Sequence, residues 1–259
     1  MKSRIVLAQA LSLLTLTLTA TAEEKRKLSF RHDVMPVLSK AGCNGGGCHG
    51  ALDGKGGFRL SLNAYDPATD YYNITRENRG RRIEFAAPTS SLFVTKPTAA
   101  VRHKGGKVLH ENSEAYRILT LWIQQGAPGP SDNDPKIDRF EISPTLSQLK
   151  KGQAQQLTAR AFFSDGTERD VTQWVRFAST DATVAEVDEA TGLVTVIGHG
   201  DGAVTAWYSG QIALARIRSP WPNVIPDETY SQAPRRNVID DAVLDLLRRL
   251  THESRSSRW

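Results

Sequence analysis

The spacing of apolar residues along the chain changes near residue 130. In the segment 30–38 apolar residues recur at helical intervals and Gly42 follows, which predicts a short helix. A second helix is predicted from Ser113 to Gln125, because Ser113 is a suitable N-cap and Gly126 lies just beyond the last turn. The first part of the chain is therefore predicted to be α-helical.

Beyond a stretch rich in Pro, Gly, Asp and Ser, apolar and polar residues alternate with a period of two. Seven short segments show this pattern, separated by turn sequences such as Ser164-Asp165-Gly166. Regularly spaced short strands of this kind predict an antiparallel β-sandwich. The predicted strands are 137–142, 155–163, 171–177, 184–187, 193–197, 203–208 and 212–217.

The pattern becomes helical once more near the end of the chain. Residues 238–250 form a predicted amphipathic helix with Val243, Leu244, Leu247 and Leu250 on one side. A single helix of this length cannot bury its own apolar face. It must dock on the sandwich, meet a partner or begin a further domain.

The first 22 residues have the pattern of an export signal. Lys2 and Arg4 precede an uncharged apolar run, and Ala20-Thr21-Ala22 offers a cleavage site before Glu23. A retained N-terminal anchor is the alternative. No later segment reaches the ~20 apolar residues that a membrane span needs, so we expect an exported protein of the periplasm or cell envelope, with no transmembrane span after cleavage.

Composition excludes other classes of protein. Hydrophobic residues make up 39% of the chain, as in ordinary globular proteins, which excludes a polytopic membrane protein and a fully disordered chain. The net charge of +5 is scattered, without a basic stripe interleaved with aromatic residues. We therefore expect no nucleic-acid partner.

The two cysteines and an adjacent histidine form the most specific chemical motif, Cys43-Asn-Gly-Gly-Gly-Cys48-His49. Cys-x-x-Cys-His is the usual pattern for covalent attachment of c-type haem, and here a glycine-rich spacer of four residues replaces the usual two. A Cys43–Cys48 disulfide, a zinc site that draws on His103 or His110, and free thiols are the alternatives.

The stretch from Phe30 to Pro128 resembles the planctomycete-type cytochrome c domain family. The matching motifs are Asp33-Val-Met-Pro-Val-Leu38, Cys43 to Gly50, Gly54-Lys-Gly-Gly-Phe-Arg-Leu-Ser-Leu62, Gly80-Arg-Arg82, Lys96-Pro97, His103-Lys-Gly-Gly106 and Leu121-Trp-Ile-Gln-Gln-Gly-Ala127.

Residues Ile137 to Ile217 resemble the group 2 bacterial Ig-like domain. The motifs that carry this resemblance are Phe163-Ser-Asp-Gly-Thr167, Asp170-Val-Thr172, Val184-Ala-Glu-Val187 and Gly192-Leu-Val194. Asn237 to Val243 resembles the opening of a third domain of larger relatives, which suggests that the chain is the N-terminal part of a longer protein.

These resemblances imply a multidomain protein with a small α-helical cytochrome c-like domain followed by an Ig-like β-sandwich. The expected boundaries are a signal peptide at 1–22, the cytochrome c-like domain at 23–128, a linker at 129–136, the Ig-like domain at 137–218, and a linker with the start of a truncated domain at 219–259.

The cytochrome resemblance implies covalent haem c on Cys43 and Cys48, with His49 as the proximal iron ligand. We place His103 first as the distal ligand, with His110, Met35 or an open position as alternatives. Arg81 and Arg82 could pair with the haem propionates, because guanidinium groups bind carboxylates in a bidentate manner. The remaining histidines, His32, His199 and His252, are expected at the surface.

The predicted function is single-electron transfer by an exported haem module fused to an Ig-like spacer or binding domain. The redox partner is not identified by the sequence, and a cell-surface polymer or protein is the expected partner of the Ig-like domain. Asp165, Asp170 and Asp181 fall at turns, where carboxylates cap backbone groups, so we predict no catalytic cluster in this chain. The alternatives are a haem-free cell-envelope interaction protein with a Cys43–Cys48 disulfide, and an enzyme whose catalytic domain lies outside this chain.

Overall fold

The computed structural model describes residues 26–223 and 225–251. The predicted signal peptide and His252 lie outside the described residues. The described chain forms two compact units: unit 1 contains residues 26–34 and 67–131, and unit 2 contains residues 35–66 and 132–251 apart from Val224. The cysteine motif therefore belongs to the same unit as the predicted Ig-like region.

The helices are short apart from two. A π-helical turn, Phe30–Val34, leads into α1, and short 3-10 turns occupy Lys55–Gly57, Leu62–Ala64, Glu77–Gly80, Pro88–Ser90 and Thr172–Trp174. The α-helices are α1 Met35–Lys40, α2 Pro67–Thr75, α3 Leu92–Thr95, α4 Glu114–Gln124, α5 Asp227–Ser231 and α6 Val238–Thr251.

Unit 1 is organised around Trp122 on α4. Its indole ring is fully buried, lies 5.5 Å from the ring of Phe30 and 6.1 Å from that of Phe93, and its Nε1 donates to the carbonyl of Pro128 at 3.0 Å. Ser113 caps α4 by accepting from the backbone N–H of Tyr116 at 3.2 Å. The helix predicted at 113–125, with its N-cap, is confirmed.

Unit 2 contains the β-structure. Alternate side chains of the strands point into an apolar core, as the period of two requires. The strands are β1 Ile137–Ser143, β2 Leu146–Gln148, β3 Ala154–Gln156, β4 Thr158–Phe163, β5 Glu168–Asp170, β6 Arg176–Ser179, β7 Ala185–Val187, β8 Leu193–Val196, β9 Gly200–Tyr208 and β10 Gln211–Ser219.

The strands form three small sheets, ordered β1-β4-β5, β2-β10-β9-β6 and β3-β8-β7. All strand pairs are antiparallel except β2 with β10, which is parallel and departs from the predicted antiparallel pattern. The predicted strand 155–163 is divided at Leu157, whose N–H bonds to the carbonyl of Gly192. At this residue the chain leaves the sheet of β3 and enters the sheet of β4.

The predicted strand 171–177 is wrong over its first half. The Asp170 carboxylate accepts from the N–H of Thr172 at 2.9 Å and the Thr172 hydroxyl accepts from the N–H of Ala159 at 2.8 Å, so the chain turns into a 3-10 helix there. Val171 and Val175 are nevertheless buried. Alternation of apolar residues was therefore a correct signal for burial and an incorrect one for strand.

The C-terminal helix α6 is present as predicted and packs partly within unit 2. The Tyr230 hydroxyl on α5 bonds to that of Thr251 at 2.6 Å, and the carbonyl of Leu250 accepts from Trp221 at 2.7 Å. Leu250 is buried, whereas Val243 and Leu247 on the predicted apolar side stay exposed. No helix among the described residues is both long and apolar enough to cross a membrane.

Candidate functional site

The cysteine motif follows directly from the end of α1. Gly42 has φ +71°, the left-handed conformation that glycine adopts at low cost. The N–H of Cys43 bonds to the carbonyl of Leu38 at 2.9 Å and that of Gly42 to Ser39 at 3.0 Å, which is the Schellman pattern of helix termination. The position of Cys43 is therefore set by the way α1 ends.

Backbone hydrogen bonds hold the spacer between the two cysteines in a compact turn. The N–H of His49 donates to the carbonyl of Cys43 at 3.0 Å, and the N–H of Cys48 donates to Gly45 at 2.9 Å. A Cβ atom at Gly50 would lie 2.1 Å from the carbonyl oxygen of Asn44. The strict requirement for glycine lies at Gly42 and Gly50, which flank the motif, while the glycines inside the spacer keep negative φ values.

Both cysteines are half-buried and unbonded to each other, so the structure holds them as thiols. Burial raises the pKa of the Cys43 thiol to about 12, and the neighbouring Cys48 adds to this shift. Cys43 is therefore protonated at neutral pH. The disulfide of the alternative hypothesis is not formed in this structure.

His49 is held in one tautomer by its neighbour Phe58. The His49 Nδ1 lies 2.9 Å from the Phe58 carbonyl oxygen, and because a carbonyl can only accept, Nδ1 carries the proton. A ring nitrogen that donates to a backbone carbonyl is also found in metal-binding imidazoles, where this hydrogen bond sets the orientation of the ring. Gly54, with φ +62°, is needed here, since a Cβ atom would lie 2.1 Å from the same carbonyl oxygen.

Two thiols followed directly in sequence by an imidazole are the residue types that covalent haem attachment requires. No group of three or more His, Cys, Asp or Glu side chains that could hold a metal ion, including one built on Cys43, Cys48 and His49, is found in the described part of the chain. The zinc alternative therefore gains no support from residues 26–223 or 225–251.

The other predicted site residues lie in unit 1, except Met35. His103 Nδ1 lies 2.8 Å from the carbonyl of Gly106 and donates to it, because a carbonyl can only accept. His110 is exposed in the same unit, whereas Met35 is buried in unit 2. The orientation of the His103 ring thus depends on a local turn and has no sequence signal of its own, and its role as the distal ligand stays a prediction.

The two arginines differ in their surroundings. Arg82 is buried, donates to the carbonyl of Asn73 at 2.9 Å and forms an ion pair with Glu77 at 3.0 Å. Arg81 is exposed. The pairing of either arginine with a propionate stays a prediction, and the contacts of Arg82 give it a structural role within unit 1.

The remaining polar candidates have structural roles. The Asp165 carboxylate accepts from the N–H and hydroxyl of Thr167, and Asp181 does the same with Thr183, so these hydrogen bonds lower the pKa of both carboxyls. The predicted role in turn capping is confirmed. The prediction for His32 was wrong, because this residue is buried in unit 1.

The comparison with protein families finds one domain. Residues 136–209 match the Bacterial Ig-like domain (group 2), which confirms the predicted Ig-like domain, while its predicted bounds of 137–218 stay a prediction. The match does not extend to Phe30–Pro128, where the cytochrome resemblance rests on motifs alone. We use "Ig-like sandwich" below for the strands β1 to β10.

An S-layer-related protein of Niallia circulans is 38% identical over 82 residues, which cover 32% of this chain and 5% of that protein. Solved domains 4 and 5 of the S-layer protein SbsC are 16% identical with a TM-score of 0.29, covering 33% of this chain and 53% of theirs. The structure of rSbsC(31-844) is 16% identical with a TM-score of 0.30, covering 38% and 15%. The chain thus spans a small part of the curated relative.

Proposed function

We propose that this chain is an exported protein of the cell envelope whose Ig-like sandwich serves as an interaction or spacer module. The observation that carries the proposal is the Ig-like domain at 136–209, supported by the similarity to an S-layer-related protein. The export pattern of residues 1–22 agrees with it. The expected partner is a polymer or protein of the cell surface.

Cell fractionation tests this proposal. The full chain and a variant without residues 1–22 are expressed in a bacterial host, and periplasmic, envelope and cytoplasmic fractions are compared by immunoblot. We expect the full chain outside the cytoplasm, shortened by removal of the signal, and the variant inside. Full-length, unprocessed protein in the cytoplasm would contradict the proposal.

A second function, single-electron transfer by covalently bound haem, is favoured by the arrangement at His49. The Nδ1 hydrogen bond to Phe58 orients the imidazole that directly follows the two unbonded cysteines in sequence. In this proposal Cys43 and Cys48 attach the haem, His49 is the proximal ligand and His103 the distal one. Haem held in this way supplies a one-electron couple.

The chain's own residues would act by holding these donors in place. The Phe58 carbonyl fixes the tautomer and the ring plane of His49, and the phenyl ring of the same residue lies 4.7 Å from the imidazole. The Gly106 carbonyl fixes the tautomer of His103 in the same manner. Arg81 and Arg82 are the proposed cations for the propionates.

A haem-stained denaturing gel with a reduced pyridine-haemochrome spectrum tests this second function. The chain is exported in a host with the c-type maturation machinery, beside a Cys43→Ala/Cys48→Ala double variant as matched control. A stained band that is absent from the control supports covalent haem. An unstained wild-type band without free thiols would establish the disulfide and leave only the envelope function.

Three single variants then assign the axial ligands. His49→Ala should abolish the low-spin spectrum, and unchanged absorption bands would contradict the proximal assignment. His103→Ala should keep the haem attached and let the reduced protein bind carbon monoxide. If His110→Ala acquires this binding and His103→Ala does not, the distal assignment belongs to His110.

A further inference from the structure

Lys40, the last residue of α1, has an unusual set of partners within unit 2. Its Nζ donates to three backbone carbonyls: Val175 at 2.5 Å, Glu189 at 2.8 Å and Ala190 at 2.8 Å. An ammonium group has three N–H donors and no acceptor, so the three carbonyls use its full capacity. Hydrogen bonds from a charged donor are stronger than neutral ones.

The three carbonyls come from two turns of the Ig-like sandwich. Val175 precedes β6, and Glu189 and Ala190 lie in the turn between β7 and β8. Asp188 shapes that turn, because its carboxylate accepts from the N–H of Ala190 at 3.0 Å and that of Thr191 at 2.7 Å. The hydrogen bonds of Asp188 therefore hold the turn that carries Glu189 and Ala190 without any contribution from Lys40.

The charges around Lys40 keep it protonated at neutral pH. Burial lowers the pKa of Lys40 to about 8, and Arg176 adds to this shift, whereas Asp188 and Glu189 oppose it. The ring of Phe177 lies 5.8 Å from Nζ and contributes a cation–π contact. At pH 7 the side chain thus has the three N–H groups that its partners require.

The residues next to Lys40 in α1 bind the cysteine motif. The carbonyl of Leu38 accepts from the N–H of Cys43 at 2.9 Å, and the hydroxyl of Ser39 accepts from the buried amide of Asn44 at 2.8 Å. Three consecutive residues at the end of α1 thus contact Cys43, Asn44 and the Ig-like sandwich. A displacement of Lys40 would therefore move the start of the motif.

We propose that Lys40 is a positioning residue that fixes the Cys43–His49 segment on the Ig-like sandwich. The sandwich then supports the cysteine motif, in addition to any role as spacer or binding module. The inference rests on the proposed haem function in one respect: that function makes the Cys43–His49 segment the functional site. The three hydrogen bonds join protein atoms only.

Amide hydrogen exchange measured by mass spectrometry on the full chain tests the proposal. Lys40→Met keeps the aliphatic length but removes the three donors, and Lys151→Met, an exposed lysine of the same unit, is the matched control. We expect exchange in peptides covering 43–50 to become at least about tenfold faster in Lys40→Met, with β10 peptides and the Lys151→Met variant unchanged. Unchanged exchange at 43–50 would overturn the proposal.

Asp188→Ala provides an independent variant in case Lys40→Met does not fold. It leaves Lys40 intact but removes the carboxylate that shapes the turn presenting Glu189 and Ala190. We expect faster exchange at 43–50 here too, although the altered residue is distant in sequence. Faster exchange confined to residues 185–196 would overturn the proposal. Haem staining reports on Cys43 and Cys48, so it tests the haem function separately from the role of Lys40.

Discussion

The Ig-like sandwich and the cysteine segment, residues 35–66, belong to one compact unit but are stabilised differently. In the sandwich, strands pair in register and bury a continuous core that includes Leu157, Phe177 and Ile217. In the cysteine segment, short turns are held by backbone hydrogen bonds and by close approaches that only glycine permits, as at Gly50. The first region therefore tolerates changes on its outer face, whereas the second depends on individual backbone positions.

The largest effect is expected in the core of the sandwich. Leu157 is fully buried, so Leu157→Ala should lower the free energy of unfolding by about 3 kcal/mol, through lost apolar burial and the cavity left behind. Leu193→Ala, at a position that is 42% exposed, is the control and should cost under about 1 kcal/mol. Urea unfolding followed by circular dichroism measures both. Equal costs would contradict the view that an apolar core stabilises this region.

Cysteine alkylation probes the burial of the cysteine segment. The pKa of Cys43 is raised from 9.0 to about 12, so in protein made without haem its alkylation at pH 8 should be about a thousandfold slower when folded than when unfolded in urea. The rate should rise only as the pH approaches that pKa. Mass spectrometry of the Cys43 peptide measures both rates.

The same pKa shift determines a dependence of stability on pH. Because the folded pKa lies above the unfolded one, the contribution of Cys43 is present below pH 9.0 and is lost as the pH rises towards about 12. A Cys43→Ala variant should lack this loss. Equal alkylation rates for folded and unfolded protein would show that Cys43 is not buried.

Gly50 tests whether single backbone positions govern the cysteine segment. A methyl group on Gly50 would meet the Asn44 carbonyl, so Gly50→Ala should cost about 2 kcal/mol of stability and increase exchange of the His49 amide. Gly47→Ala is the control, because a Cβ atom there meets nothing within 4 Å. Thermal unfolding and amide exchange measure the difference. Indistinguishable variants would contradict the comparison.

The smallest effect is expected from a Ser→Ala substitution, which can be made in both regions and compared. Ser39→Ala removes the acceptor of the buried Asn44 amide and should cost about 1 kcal/mol. Ser147→Ala in β2 should be close to neutral, because this buried hydroxyl has no hydrogen-bond partner among the described residues. Denaturant unfolding of the two variants, measured side by side, gives the difference. A larger loss from Ser147→Ala would reverse it.

Much of the sandwich could be predicted because strand residues show their burial locally. The predicted strand 212–217 corresponds to β10, and 193–197 corresponds to β8. The three-residue strands β2 (LSQ) and β5 (ERD) were missed because neither contains two apolar residues that could show a period of two, unlike β7 (AEV). The sequence could not show that the chain passes from one sheet to another at Leu157, because the carbonyl that accepts from its N–H belongs to Gly192, which lies far along the chain.

The candidate site was identified from the sequence, but the hydrogen bonds that hold its side chains were not. The motif Cys43-Asn-Gly-Gly-Gly-Cys48-His49 is evident from residue order alone. The tautomer of His49 depends on the carbonyl of Phe58, and Lys40 had no signal in sequence because its partners are backbone carbonyls that any residue could supply. A sequence motif cannot identify hydrogen bonds to backbone carbonyls, because every residue has one.

The sequence by itself determined the Ig-like domain, the helix capped by Ser113 and the position of the cysteine motif, since each depends on local periodicity or on adjacent residues. Only the tertiary structure decided that residues 35–66 join the Ig-like sandwich in one unit, and that Lys40 donates three hydrogen bonds to backbone carbonyls in turns of that sandwich. The physical reason is that these contacts join residues more than a hundred positions apart through main-chain atoms, which carry no information about residue type.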